Sequence, residues 1–302
     1  MGELGEFALI ARVIARLESG PDVVLGPGDD AAVVAASDGR VVATTDVLVD
    51  GRHFRRDWST AYDVGRRAAA ANLADIAAMG ARATALLIGL GCPADLELAW
   101  ADGLADGLRD EAALCNASVV GGDVVRSDVL TIAVTALGDL NGRAPVTRAG
   151  AQPGDIVGVA GRLGWAAAGL RLLQSGVSDG QLPDALRRPA PPYALGPVLA
   201  EAGATAMVDV SDGLAADLGH IAEASGVRID LGLKALRTLG ADGVTDDDLL
   251  TGGDDHALAF TIAGDATLPD GCIQVGTVSE GSRVHADGEQ ITGGHEHFGA
   301  SD

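Results

Sequence analysis

Lysine is almost absent from this chain: Lys234 stands alone in 302 residues, against 20 arginines. A phosphate loop of the GxxxxGK[ST] kind needs a lysine at a fixed place, as does the lysine–glutamate pair of protein kinases. Lys234 sits in neither context. Cysteine is scarce too. Cys92, Cys115 and Cys272 are far apart, odd in number and form no CxxC pair. That argues against a zinc site or a disulfide framework and favours a reducing, cytoplasmic setting. Positive charge is outweighed, with 43 acids against 21 bases and a formal net charge of −22, so nucleic acid and anionic membranes are poor partners. The apolar stretch around 85–92 is too short to span a bilayer, and Glu3 and Glu6 are wrong for a signal peptide.

What the chain has instead is aspartate, 33 of them. Most need no more explanation than a solvated, aggregation-resistant surface. Eight of them, in five segments, share a context in which an apolar run reaches a small or Gly-rich turn that presents Asp: VVLGPGDD at 23–30, VVATTD at 41–46, ASVVGGD at 117–123, MVDVSD at 207–212 and LLTGGDD at 249–255. Short carboxylates on tight turns hold hard cations by oxygen. With lysine missing, a phosphorylated ligand is expected to be handled by metal and arginine.

Hydrophobic content of 47% and a length of 302 residues fit a compact protein of two domains. Helical spacing covers 4–17, 61–79, 95–114, 164–174, 194–202 and 213–225. Strand patterns cover 32–36, 41–45, 83–90, 129–137, 156–160 and 206–210, with others near 227–231, 257–262 and 272–278. PAPPY at 189–193 reads as a rigid connector, and 234–250 has no clear pattern. The Gly- and Pro-containing stretch 140–155 marks a boundary, giving domains 1–142 and 143–302. The fold class is α/β in the wide sense, an α+β two-domain chain.

Between Ala68 and Met79 the only polar residues are Asn72 and Asp75, three apart on one face of a helix that is otherwise apolar all round. A carboxylate there needs a pairing partner or a metal. Arg66 or Arg82 would be the ordinary partner, and Asn72 beside it favours a polar site. Asp29 and Asp30 alone would pass for an ordinary turn. Thr44, Thr45 and Asp46, and likewise Gly121, Gly122 and Asp123, read as strand ends, where ligands of α/β folds collect. Ser211 or Asp212 could simply cap the helix that follows. Asp209 makes a third oxygen-bearing side chain within four residues, more than a cap needs. His53 lies among Arg52, Arg55 and Arg56, a basic island in an acidic chain and a candidate anion contact. No nucleophile triad and no HExxH spacing is present.

GEF at 5–7, GDDAAVV at 28–34, TTDVLVDGRHF at 44–54, NLADIAAMGA at 72–81, GGD at 121–123, TRAGAQPGD at 147–155, DVSDGLAADLGHIAEASG at 209–226, GGDD at 252–255 and EHF at 296–298 resemble the thiamine-monophosphate kinase family, in that family's order and over nearly the whole chain. The resemblance implies an N-terminal ATP/Mg-binding domain that pairs strands across a homodimer and a C-terminal domain of mixed sheet and helices that closes the site. It implies transfer of phosphate from ATP to thiamine monophosphate, assisted by several Mg²⁺ ions. Carried over by motif, Asp30, Thr44, Thr45, Asp46, Asp75, Asp123, Asp209 and Asp212 would be metal-linked. Asp30, Asp46, Asp123 and Asp212 would form the catalytic set. Gly122, Asp123, Arg148 and Ser211 would contact ATP, and His53, Asp254 and His295 the thiamine phosphate. The chain departs from the family at GGDDHAL, where relatives often carry GGEDYEL, and at His295, where they often carry an aromatic. The rival readings are a superfamily synthetase of the aminoimidazole-ribonucleotide or selenophosphate type, and a non-enzymatic acidic cation-binding protein. The chain has no cysteine before Cys92, which argues against the selenophosphate type, and it lacks the EF-hand spacing.

Overall fold

The computed structural model describes residues 12–27 and 31–295. Most of the expected first helix, the GDD at 28–30 with Asp30, and the EHF at 296–298 lie outside the described residues. The chain divides into two compact units, Met1–Ile76 with Ala81–Gly142, and Ala77–Gly80 with Arg143–Asp302.

The first unit is built on a four-stranded sheet. Its strands are β3 (Val42–Val49), β4 (Arg82–Cys92), β5 (Ser118–Arg126) and β6 (Thr131–Asp139), ordered β3-β6-β4-β5. A short hairpin, β1 (Val23–Leu25) with β2 (Val33–Val34), stands apart from it. In the sheet only β4 and β5 run parallel. They are joined through helix α2 (Leu98–Ala113), and α1 (Ala61–Ala78) precedes β4. Period-two alternation separates the faces. Leu48, Leu86, Ile132, Val134 and Ala136 are buried, while Val47, Leu87 and Val125 are exposed. The Arg66 guanidinium pairs with buried Glu111, tying α1 to α2.

Two of the aspartate turns prove to be strand interiors. The apolar run Val47–Val49 after Asp46 carries β3 on, and Gly121, Gly122 and Asp123 continue β5 to Arg126 in register with β4. The glycine at 122 is required by that pairing: a Cβ there would stand 2.0 Å from the Ile88 carbonyl oxygen.

The second unit holds a seven-stranded sheet in the order β13-β12-β9-β11-β7-β10-β8. The strands are β7 (Ile156–Ala160), β8 (Ala206–Asp209), β9 (Arg228–Leu231), β10 (Leu258–Ile262), β11 (Cys272–Ser279), β12 (Arg283–Ala286) and β13 (Glu289–Gln290). Its helices are α3 (Trp165–Gln174), α4 (Gln181–Arg187), α5 (Leu195–Ala202), α6 (Leu214–Ser225), α7 (Leu233–Leu236) and α8 (Asp246–Thr251). Strand β7 lies inside the sheet, antiparallel to both neighbours, β11 and β10, and it is buried on both faces. Val157 and Val159 meet Leu214, Leu218 and Ile221 of α6 in one core. Ala160, Phe260 and Ile262 meet Leu199 of α5 in the other. Such two-sided cover makes β7 and β10 nearly continuous apolar runs. Among the described residues no helix is long and apolar enough to cross a membrane.

Candidate active site

In the first unit the donors gather where β3 runs along α1. Asn72 is fully buried; its side-chain amide donates to the Ala68 carbonyl at 3.0 Å, and its Oδ1 accepts the Asp46 amide at 3.1 Å. One turn on, Asp75 Oδ2 accepts the Thr44 hydroxyl at 2.7 Å. Arg66 pairs with Glu111 and Arg82 with Asp22 at 2.6 Å, so the pairing of either with Asp75 that the sequence suggested is not seen. Thr44, Asp46, Asn72 and Asp75 therefore form one polar group in an apolar frame.

Thr45 and Asp123 do not join it. The register places both on the open face of the sheet. Thr45 donates to the Val134 carbonyl at 3.0 Å and accepts from Thr135 at 3.1 Å. Asp123 is exposed, with Oδ1 accepting the Val124 amide at 2.9 Å. Gly122 is committed to strand packing. His53 lies in the turn after β3, where Nδ1 accepts the Val49 amide at 3.0 Å, so the ring proton sits on Nε2. In the basic island Arg55 pairs with Asp57 at 2.6 Å and lies 4.2 Å over Trp58, while Arg56 lies 5.8 Å over Trp100.

In the second unit three distant segments are zipped together by backbone bonds. Asp209 ends β8, and the turn after it leads into α6. The Asp254 amide donates to the Ser211 carbonyl, and the His256 amide to the Val210 carbonyl, each at 2.9 Å. The His295 amide donates to the Asp212 carbonyl, also at 2.9 Å. Gly253 allows the approach, since a Cβ there would stand 2.2 Å from the Ser211 oxygen. Asp254 and His256 both adopt left-handed backbone, at φ 67° and 51°, the kind of strain that collects at functional sites. Asp209, Ser211, Asp212, Asp254 and His295 are thus brought into one neighbourhood. Arg148 is exposed, and its carbonyl accepts the Ser225 hydroxyl at 3.0 Å.

Neither Ser211 nor Asp212 caps α6. The cap position is Gly213, with no side-chain bond. Asp217, which the sequence reading missed, instead reaches back to the turn before the helix; its Oδ2 accepts the Asp212 and Gly213 amides, both at 3.1 Å. Burial, reinforced by the charges of Asp209 and Asp212, pushes the Asp217 carboxyl up to about 7. An Asp in the first turn of a helix that starts on glycine was the available signal. His256 is buried, and its Nδ1 stands 3.1 Å from Asp209 Oδ2.

The crowding of carboxylates around Asp217 is the mark of a place that suits a cation. The donors are carboxylate and hydroxyl oxygens, with no thiolate. Among the described residues no group of three or more His, Cys, Asp or Glu makes a ready metal cage. A hard divalent cation can be held by one or two such carboxylates, with water and substrate phosphates completing its shell.

Residues 28–140 match the family described as AIR synthase related protein, N-terminal domain. The thiamine-monophosphate kinase of Mycobacterium tuberculosis is 49% identical, covering 99% of this chain and 93% of the relative. The chain belongs to the thiamine-monophosphate kinase family. The crystal structure of that kinase from Stenotrophomonas maltophilia K279a matches with a TM-score of 0.82 at 38% identity, over 95% of this chain and 98% of the other. The AaThiL complex with AMPPCP and TMP matches with a TM-score of 0.79 at 32% identity, over 99% and 98%.

Proposed function

We propose that this chain transfers the γ-phosphoryl group of ATP to thiamine monophosphate, giving thiamine diphosphate and ADP. The observation that carries the reading is family membership along the whole chain, including a relative structure that holds an ATP analogue together with TMP. The two polar neighbourhoods support it with the oxygen donors that anionic partners require.

Thr44, Asp46 and Asp75 in the first unit, and Asp209 and Asp212 in the second, would hold Mg²⁺. Asp30, Thr45 and Asp123 are proposed for the same set by motif. Once bound, the ions neutralise and align phosphates, a role a lone lysine cannot fill. Two unit charges 4 Å apart interact by about 4 kcal/mol at an effective dielectric of 20, so bringing two phosphorylated anions together demands such neutralisation. Gly122, Asp123, Arg148 and Ser211 are assigned to the nucleotide, and His53, Asp254 and His295 to the thiamine phosphate.

The acceptor is already an ionised phosphate oxygen, so the chain has no need of a strong general base. Its task is to position the two partners. Asn72 fixes the backbone at Asp46, and the backbone bonds between the 210–212 and 254–256 turns fix the second group of donors. The ionised acceptor and the oxygen-donor set support a transfer that is direct and in line. A chiral γ-phosphoryl group tests this: inversion at phosphorus is expected, and net retention would overturn direct transfer. The exposed apolar residues Val47, Leu87 and Val125 on the open sheet face suit a homodimer partner. Free Cys92, Cys115 and Cys272 fit a cytoplasmic setting. An acceptor panel separates the enzyme from its rivals: ADP should form with thiamine monophosphate, and not with selenide or an amide substrate.

A further inference from the structure

His256 follows directly after the GGDD turn. Several observations meet at this residue. Its side chain is buried, at 5% exposure, and its Nδ1 lies 3.1 Å from Oδ2 of Asp209, which is equally buried. Its backbone is held in the left-handed region at φ 51° while its amide is bonded to Val210, the residue that follows Asp209. Asp209 is itself the last residue of β8, paired with Leu258 of β10 two positions beyond His256. The ring and the carboxylate it touches are therefore held by adjoining backbone bonds, His256 to Val210 and Leu258 beside Asp209.

We propose that His256 is a positioning residue for Asp209. An Nδ1–H donated to Oδ2 locks the carboxylate in one rotamer and leaves Oδ1 as the donor for a divalent cation. The inference rests on the reading of Asp209 as a metal donor. Hydrogen-bonded partners of this kind orient metal-binding carboxylates, and their loss typically weakens metal binding by about 10–100-fold.

The test uses the full chain, with Mn²⁺ as the probe in the presence of AMPPCP, read by electron paramagnetic resonance. His256→Phe keeps a ring and removes the donor. His256→Asn places an amide N–H near the Nδ1 position and accepts left-handed backbone, while His256→Gln places it near Nε2. Mn²⁺ affinity should fall roughly tenfold or more in the Phe and Gln variants and recover in the Asn variant. A folded Phe variant that binds Mn²⁺ as the wild type does would overturn the proposal. If the Phe variant does not fold, Asn and Gln variants of equal affinity would overturn it. The readout does not depend on the phosphoryl acceptor. A wild type that makes no thiamine diphosphate would therefore sink the functional reading, while the Mn²⁺ comparison still decides His256.

Discussion

Thr44 donates its hydroxyl proton to Asp75 Oδ2 at 2.7 Å, joining a strand residue to a carboxylate on an otherwise apolar helix. A hydrogen bond to a charged acceptor contributes about 1.5–3 kcal/mol when partly buried. Thr44→Val keeps the shape and removes the donor, so urea denaturation should show a loss of about 1–2 kcal/mol, with Thr44→Ser restoring most of it. No change in Thr44→Val would mean that Asp75 is held by its other surroundings.

Asp212 is free of the capping duty that its place before α6 suggested, since the cap position is Gly213 and the Asp212 amide itself is bonded to Asp217. Asp212→Asn should therefore leave the melting curve nearly unchanged while turnover falls roughly 100-fold or more, the scale of losing several kcal/mol of charge stabilisation. Activity within a few-fold of wild type would remove Asp212 from the site.

Neighbouring glycines should behave differently. Gly122→Ala forces a Cβ against the Ile88 carbonyl at 2.0 Å, whereas Gly121→Ala meets only the mobile end of Leu87 at 3.2 Å. Overpacking against backbone costs about 1–3 kcal/mol, and a flexible side chain can give way, so thermal melting should drop for Gly122→Ala and barely move for Gly121→Ala.

Asp255 sets a pH dependence. It is buried, its Oδ1 accepts the Ala166 amide at 3.0 Å, and its Oδ2 has no partner. Burial pushes its carboxyl up to about 6 from an ordinary 3.8. Between those values the unfolded chain sheds a proton that the folded chain keeps. Stability from this group is thus fully present below about pH 4 and lost as pH rises through about 6, by about 3 kcal/mol at most. Asp255→Asn cannot titrate, so denaturation at pH 4 and pH 7 should show wild type losing ground to the variant. Parallel pH profiles would contradict the assignment.

Much of the fold was legible because helices such as 61–78 and 214–225 carry strong periodicity, and β7 and β10 are bounded apolar runs. The strand interiors at Asp46 and Gly121–Asp123 were not. Glycine and aspartate favour turns locally, and only pairing with β4 and β6 overrides that preference. Strands β12 and β13 lie in the polar stretch SRVHADGEQ, whose alternation is too weak to mark an edge, and Pro183 hides α4. The donors were legible as motifs in order. Their grouping was not, because the bonds from Asp254 to Ser211 and from His295 to Asp212 join residues more than 40 positions apart in sequence. Nor does spacing alone reveal that Thr45 and Asp123 turn to the other sheet face.

The central claim is the reaction itself, and phosphorus NMR of the protein with ATP, Mg²⁺ and thiamine monophosphate follows it directly. The monophosphate resonance should decay as thiamine diphosphate and ADP grow in equal amounts, with no inorganic phosphate. A folded protein that leaves the monophosphate untouched, or that releases phosphate from ATP without forming thiamine diphosphate, would contradict the account.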